Sequence, residues 1–239
     1  MLTAERKAFL LTRLAAEGRL VATDLAAEIG TSEDTIRRDL RDLAAEGALT
    51  RVHGGALPAS PTHLPLDRRR DLNTGEKDRL GAMGAALIRP GMVVILDGGT
   101  THHALIRHLP ADLSASVITH APTIAAALEP FAALEVILIG GRLMRHSMVA
   151  LGPVTYESYA RLRADLCLLG VTGVHPGAGL TTGDHDEARI KARMMQSATE
   201  TVVIATADKI GTASPHQIAP LSALTRLITL NRPHWSPRP

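Results

Sequence analysis

The chain has 239 residues, of which 45% are hydrophobic, so a sizeable core is within reach without disulfides, and the single Cys167 excludes an internal bridge. No leader pattern opens the chain and no apolar run nears the ~18 residues of a membrane span, so a soluble cytoplasmic protein is expected. Net charge is only +2, residues 1–57 carry eight Lys/Arg against nine Asp/Glu, and aromatics are 2%, which excludes a bulk basic footprint and a base-stacking platform.

In chain order, TAERKAFLLTRLAAE (residues 3–17) sets Leu10, Leu11 and Leu14 on a helical stripe beside Phe9, with Thr3 as a candidate N-cap and Gly18 as the stop. VATDLAAEIG predicts a short helix capped by Thr23, with Leu25 and Ile29 on one face and Gly30 at its end. Ser32 then caps SEDTIRRDLRDLAAEG, where Ile36, Leu40 and Leu43 form one buried stripe. Two helices joined by a tight Gly-Thr turn make a helix-turn-helix arrangement. At about 100° per residue, an inward Ile36 leaves Asp34, Arg38 and Arg41 outward, flanked by Thr35 and Arg37. Arginine pairs with guanine O6 and N7 and reaches phosphates, while Ser32 and Thr35 suit contacts near the helix start. In an isolated helix, a solvated face of Asp–Arg pairs would explain the same pattern. The residues that follow favour nucleic acid. ALTRVHGGALPA offers two strand-like pieces around Arg51 and His53 and a turn at Gly54–Gly55, the layout of a β-wing, with Arg51, His53 and Gly54 beside the phosphates.

TIRRDLRDLAAEGALTRVHGGA resembles the N-terminal winged helix-turn-helix of the DeoR family of bacterial transcriptional regulators. The first domain is accordingly set at 3–57, a DNA-binding unit whose partner is double-stranded operator DNA.

Residues 58–74 read as a linker, with Pro58, Pro61 and Pro65 stiffening an extended connection. Its Arg68–Arg70 triplet reads as a solvated or interdomain face. From about Gly75 a helix is predicted, packed by Leu80, Met83 and Leu87 and stopped at Pro90–Gly91.

Over 75–232, apolar strands VVIL, SVIT, EVILIG, LCLLG, TVVIA and RLITL alternate with helical stretches, among them HHALIRHL, PTIAAAL and the segment from Asp184 to Ser197. That alternation predicts an α/β domain with a mostly parallel sheet, whose ligands gather at the carboxyl ends of strands. Loops expected there are Asp97-Gly98-Gly99-Thr100-Thr101, Thr119-His120, Gly140-Gly141-Arg142, the glycines around Gly173, GLTTGDHDEARIK and the Asp208-Lys209 turn. Glycines let amides approach an anion, threonines add hydroxyls, and a helix start adds partial positive charge. Lys209 or Arg142 would add full charge, and Asp97, Asp184 and Glu187 would accept from hydroxyls. Glu187 and Lys191 are also simple i, i+4 helix partners.

LDGGTT, VILIGG, GLTTGDHDEARIK and ADKIG fall in the order of the DeoR-family sensor domain, which is similar in fold to ribose-5-phosphate isomerase. The resemblance covers residues 3–232. It implies a repressor of carbohydrate-utilisation genes whose second domain binds a phosphorylated sugar or related metabolite, and homodimers or homotetramers on repeated half-sites. Carried onto matching positions, it assigns Asp97, Gly99, Thr100 and Thr101 to the phosphate loop and Glu187, Lys191 and Lys209 to the sugar. The chain departs from the family's usual TNS at Thr119-His120-Ala121, a change that bears on the sugar-facing chemistry.

No cofactor and no metal are expected. His102, His103, His120 and the His185-Asp186-Glu187 run lack HxxxH or CxxC spacing. Two other readings stay open. A sugar-phosphate isomerase would draw its base and electrophile from Asp184, Glu187 and Lys209. A metabolite-dependent assembly module would need no DNA contact. The helix-turn-helix and wing favour regulation over both.

Overall fold

The computed structural model describes residues 1–60, 64–231, 233 and 235. Pro61 of the expected linker and residue 232, the expected end of the second domain, lie outside them. Helices α1 (Thr3–Glu17), α2 (Ala22–Ile29) and α3 (Glu33–Ala45) bury Leu10, Leu14, Leu25, Ile36, Leu40 and Leu43 in one small core. Strand β1 (Leu20–Val21) pairs with β3 (Gly55–Pro58), and β3 with β2 (Leu49–Val52), so the wing is three-stranded in the order β1-β3-β2.

Gly18 and Gly30 end α1 and α2 in the left-handed conformation, and the Ser32 side chain accepts from the Thr35 amide at 3.2 Å, as the sequence predicts. Two caps differ. Neither Thr3 nor Thr23 precedes its helix: α1 starts behind Leu2, whose amide donates to Glu5, and α2 starts behind Val21. The Ala22 amide donates to Gly54 O at 2.8 Å, so the wing turn replaces a side-chain cap.

The expected extended linker contains a helix, α4 (Leu66–Arg70), begun behind Pro65 and tied by the Leu66 amide to His146 O at 2.9 Å. Helix α5 (Thr74–Ala85) buries Leu80, but Met83 is 47% exposed rather than packed. Its buried face is made instead by Gly81 and Gly84, which let α5 lie against α6 (Thr100–Ile106). A Cβ on Gly81 would stand 2.7 Å from Ala104 C. Small residues, not an apolar stripe, set that contact.

All six predicted strands enter one parallel sheet. They are β4 (Val93–Leu96), β5 (Ser116–Thr119), β6 (Glu135–Leu138), β9 (Ala164–Leu169), β12 (Ala198–Ile204) and β14 (Arg226–Ile228), in the order β14-β12-β9-β4-β5-β6. The four inner strands carry Val94, Ile95, Val117, Leu168 and Val203 at 2% exposure or less, as fits strands covered on both faces. Helices α5, α6, α7 (Pro122–Ala127), α8 (Pro153–Ala160) and α9 (His185–Gln196) accompany the sheet, joined by a β7–β8 hairpin (Arg142–Met144, Val149–Leu151) and an antiparallel sheet of β10 (Gly173–His175), β11 (Gly179–Thr182) and β13 (His216–Ala219). The chain runs from β4 outward through β5 to β6, then returns to place β9 on the other side of β4. That reversal leaves a crevice beyond the carboxyl ends of β4 and β9.

Candidate functional site

The crevice is organised by a buried charge cluster. Asp97, just after β4, is fully buried, and its carboxylate accepts from the Gly98 amide at 2.7 Å, the Gly170 amide at 2.8 Å and the Lys191 ammonium. A Cβ on Gly170 would lie 2.8 Å from Gly98 O, so the two loops approach only because residue 170 is glycine. Lys191 also donates to Gly170 O at 2.9 Å and sits 3.5 Å from Glu187, whose other oxygen takes the Thr182 hydroxyl. Burial pushes the Asp97 carboxyl up, but Lys191, together with His120 and His102, outweighs it and leaves the group below the usual carboxylate range. Burial pushes Lys191 down, and Asp97 and Glu187 more than offset that. Asp97 and Lys191 thus hold each other in the charged form.

In front of it lies a cavity of about 500 Å³, counted to its open mouth, lined by the loop Gly98–Thr101, His102, Glu187, Lys191, Lys209 and Arg69, with Ser147, Val149 and Thr172. Gly99 has φ 128° and caps α6 without a side chain, so that cap offers the amides of Thr100 and Thr101 no side-chain acceptor. The His102 ring nitrogen Nδ1 lies 2.8 Å from Asp97 O. A carbonyl only accepts, so Nδ1 carries the proton, and Nε2 is a buried acceptor without a partner among the described residues. Burial holds the His102 pKa at about 4, hence neutral at pH 7.

Two cations on the wall have no ion pair among the described residues. Arg69 is pushed below its ordinary value by burial, with Glu187 opposing, and its Nε lacks a partner among the described residues. Lys209 is lowered to about 8, first by burial and then by the Arg69 charge beside it. A cavity that holds two unmatched cations and a row of amides favours an anion.

The structure thus brings Gly98, Gly99, Thr100, Thr101, Glu187, Lys191 and Lys209 together. Other predicted residues lie elsewhere. Asp97 stands behind the wall, both oxygens engaged. Thr119 and His120 are fully buried, with His120 Nδ1 sharing a 2.9 Å hydrogen bond with the Tyr159 hydroxyl and Nε2 3.7 Å from Asp97. Neither is among the described residues that line the cavity. Gly140 O accepts from the Thr155 hydroxyl at 2.8 Å, Gly141 packs against Thr155 and Leu151, and Arg142 is turned outward, 3.8 Å from Asp186. Gly173 packs against Thr212 and Ala213 in the antiparallel sheet, and Asp184 caps α9 by accepting from the Glu187 amide at 2.9 Å. Arg69, His102 and Ser147 were missed as wall residues.

On the first unit, Ser32, Arg37, Arg38, Arg41, Arg51, His53 and Gly54 are exposed and Thr35 half-buried. Arg37 pairs with Glu33 at 2.6 Å. Arg38, Arg41 and Arg51 have no ion pair among the described residues, while the buried Asp39 on the opposite face is matched by Arg6. One helix face and the wing thus present uncompensated guanidiniums to solvent. The wing also meets the α/β unit: the Thr50 hydroxyl donates to Ala213 O at 2.8 Å, and Ser60 donates to Thr172 O. No helix among the described residues is long and apolar enough to cross a membrane.

Comparison with known proteins agrees with both halves. Residues 6–62 match the model of the DeoR-like helix-turn-helix domain, and residues 72–230 that of the DeoR C terminal sensor domain. The HTH-type transcriptional regulator GlpR of Haloferax volcanii is 34% identical over 232 residues, covering 96% of this chain and 90% of that protein. The glycerol-3-phosphate regulon repressor of Escherichia coli K12 is 29% identical over 196 residues, covering 82% and 78%. Among solved structures, ribose 5-phosphate isomerase A of Methanocaldococcus jannaschii aligns over 58% of this chain and 55% of its own with a TM-score of 0.42 at 17% identity.

Proposed function

Since this chain belongs to the DeoR family of transcriptional regulators, and is a DNA-binding protein and not an enzyme, we propose that its cavity receives the phosphoryl group of a phosphorylated sugar or polyol, and that occupancy changes operator affinity. The observation that carries the reading is the unmatched pair Arg69 and Lys209 facing the amides of Thr100 and Thr101. Among the described residues the one acid on that wall is Glu187, held by Lys191 and Thr182, which suits reading a hydroxyl rather than acting as a free base for isomerisation.

Residues 3–57 form the DNA-reading head in this proposal, 58–74 the joint and 75–232 the sensor. Ser32, Thr35, Arg37, Arg38 and Arg41 meet the major groove, and Arg51, His53 and Gly54 the flanking phosphates. Two or four copies, held by their sensors, set the heads on half-sites inside the cell. A coupling of about 1–3 kcal/mol shifts operator affinity about 5–150-fold. The test is fluorescence anisotropy on a duplex selected by the full chain from random sequence, repeated with a panel of sugar phosphates. At least one phosphorylated compound, and none of the unphosphorylated sugars, is expected to shift the curve. Indifference to the entire panel would remove the reading.

A further inference from the structure

A second, wider space adjoins the anion cavity. It lies between the wing and the α/β unit and measures about 1330 Å³ to its mouth, against about 500 Å³ for the cavity. The two share four wall residues, Arg69, Ser147, Thr172 and Glu187, so each opens toward the other. One side of this cleft belongs to the head: Ala44 and Gly47 at the end of α3, and Thr50 and Arg51 on β2. The other side carries Asp184, Glu187 and Ser214.

We propose that the effector site is completed by the DNA-binding head: a ligand whose phosphoryl group sits at Gly98–Thr101 extends its hydroxylated end past Glu187 into this cleft and touches Arg51. The proposal rests on the phosphate reading above and adds the ligand's length and polarity. A small anion sits in the cavity alone and leaves the cleft to water. A five- or six-carbon chain anchored at Gly98–Thr101 reaches the cleft past Glu187 and Thr172, which border both spaces. The chemistry of the extended part follows from the charges. The lining carries two guanidiniums, Arg51 and Arg69, and two carboxylates, Asp184 and Glu187, so the cleft suits a neutral chain of hydroxyls rather than a second phosphoryl group. Carboxylates accept from hydroxyls, and the Arg51 guanidinium donates to them.

The arrangement gives Arg51 two competing tasks. An exposed wing arginine with no ion pair among the described residues suits a DNA phosphate, and the same side chain lines the cleft. Ligand bound there holds the wing against the sensor, so the long ligand, not the phosphate group, governs the head. Thr172, whose carbonyl takes Ser60 and whose hydroxyl lies 2.7 Å from Ser214, joins the two walls at the same point.

The test titrates the full chain, without DNA, with inorganic phosphate and with sorbitol 6-phosphate. Two variants are compared with wild type. Arg51→Ala removes an exposed side chain. Gly183→Trp plugs the cleft, at a position where an added Cβ meets nothing within 4 Å. The wild type is expected to bind the hexitol phosphate at least tenfold more tightly than phosphate. Both variants should erase most of that advantage while leaving phosphate binding unchanged within about twofold. Equal affinity for the two ligands in the wild type, or full retention of the advantage in both variants, overturns the proposal. Binding of neither ligand to wild type overturns the phosphate reading as well, and is told apart by the absent phosphate signal.

Discussion

The head and the sensor handle positive charge in opposite ways. In the head the structural charges are paired, Arg6 with Asp39, Lys7 with Asp42 and Glu46, and Arg13 with Glu17 and Glu28, while the unpaired Arg38, Arg41 and Arg51 stand in water. In the sensor Asp97, Lys191 and Glu187 form a buried cluster, and Arg69 and Lys209, with no ion pair among the described residues, face a cavity. An exposed cation keeps its hydration and its ordinary charge, and answers to salt. A cation in a cavity is desolvated, its pKa moves, and it answers to pH. One half of the molecule is thus built to meet a polyanion across solvent, the other to enclose a small anion.

The sharpest way to break this contrast is to spoil the buried cluster. Asp97→Ala leaves Lys191 buried beside Glu187 alone and removes the acceptor of two loop amides. A loss of about 3–5 kcal/mol is expected in urea unfolding of the full chain. A loss below about 1 kcal/mol would mean the cluster is not what holds the β4 and β9 loops together.

The head is tested by comparing two adjacent arginines. Arg38→Ala should weaken operator binding by about 1–3 kcal/mol if that side chain reads a base. Arg37, already held by Glu33, should cost less than about 1 kcal/mol. Gel shifts at one fixed salt concentration decide it, and a reversed order would relocate the reading face.

A smaller effect tests the sensor by pH. Lys209 titrates at about 8 in the empty site, and a bound anion raises that value. Affinity is therefore full below pH 8 and falls as pH rises through it, by at most about tenfold per unit, with one proton taken up on binding. A phosphomonoester becomes a dianion above a pKa of about 6, so the plateau lies between 6 and 8. Calorimetry in buffers of different ionisation enthalpy reads the proton directly, and no uptake at pH 8.5 would take Lys209 off the phosphate.

The smallest effect expected is at Met83. Met83→Gln should stay within about 0.5 kcal/mol of wild type in thermal unfolding, because the side chain is exposed.

That last position shows where the sequence was a poor guide. Period and composition found the six parallel strands and the two helices around the Gly-Thr turn, because aliphatic runs and buried stripes mark them, and even the edge strand β6, exposed along its length, keeps such a run. They misread α5 at Met83, where Gly81 and Gly84 make the contact, while Leu80 and, just past the helix, Leu87 pack as expected. Gly98–Thr101 was legible because a strand ending in glycines and opening a helix has few other uses. Arg69 was not: it sits in an arginine triplet behind prolines, and only the turn of the five-residue α4 separates it from its exposed neighbours Arg68 and Arg70. Ser147 and Val149 come from a hairpin of three-residue strands, too short to leave a period. His120 drew attention by its chemistry, yet its depth in the core is a property of sheet order, which no local pattern states.

The central claim, that the loop after β4 with Lys209 and Arg69 is an anion receptor, is tested most directly by a crystal structure of the full chain grown in inorganic phosphate. Tetrahedral density is expected within about 3 Å of the Thr100 and Thr101 amides and of the Lys209 ammonium. Those amides satisfied by protein oxygens, with phosphate bound elsewhere or not at all, would contradict it.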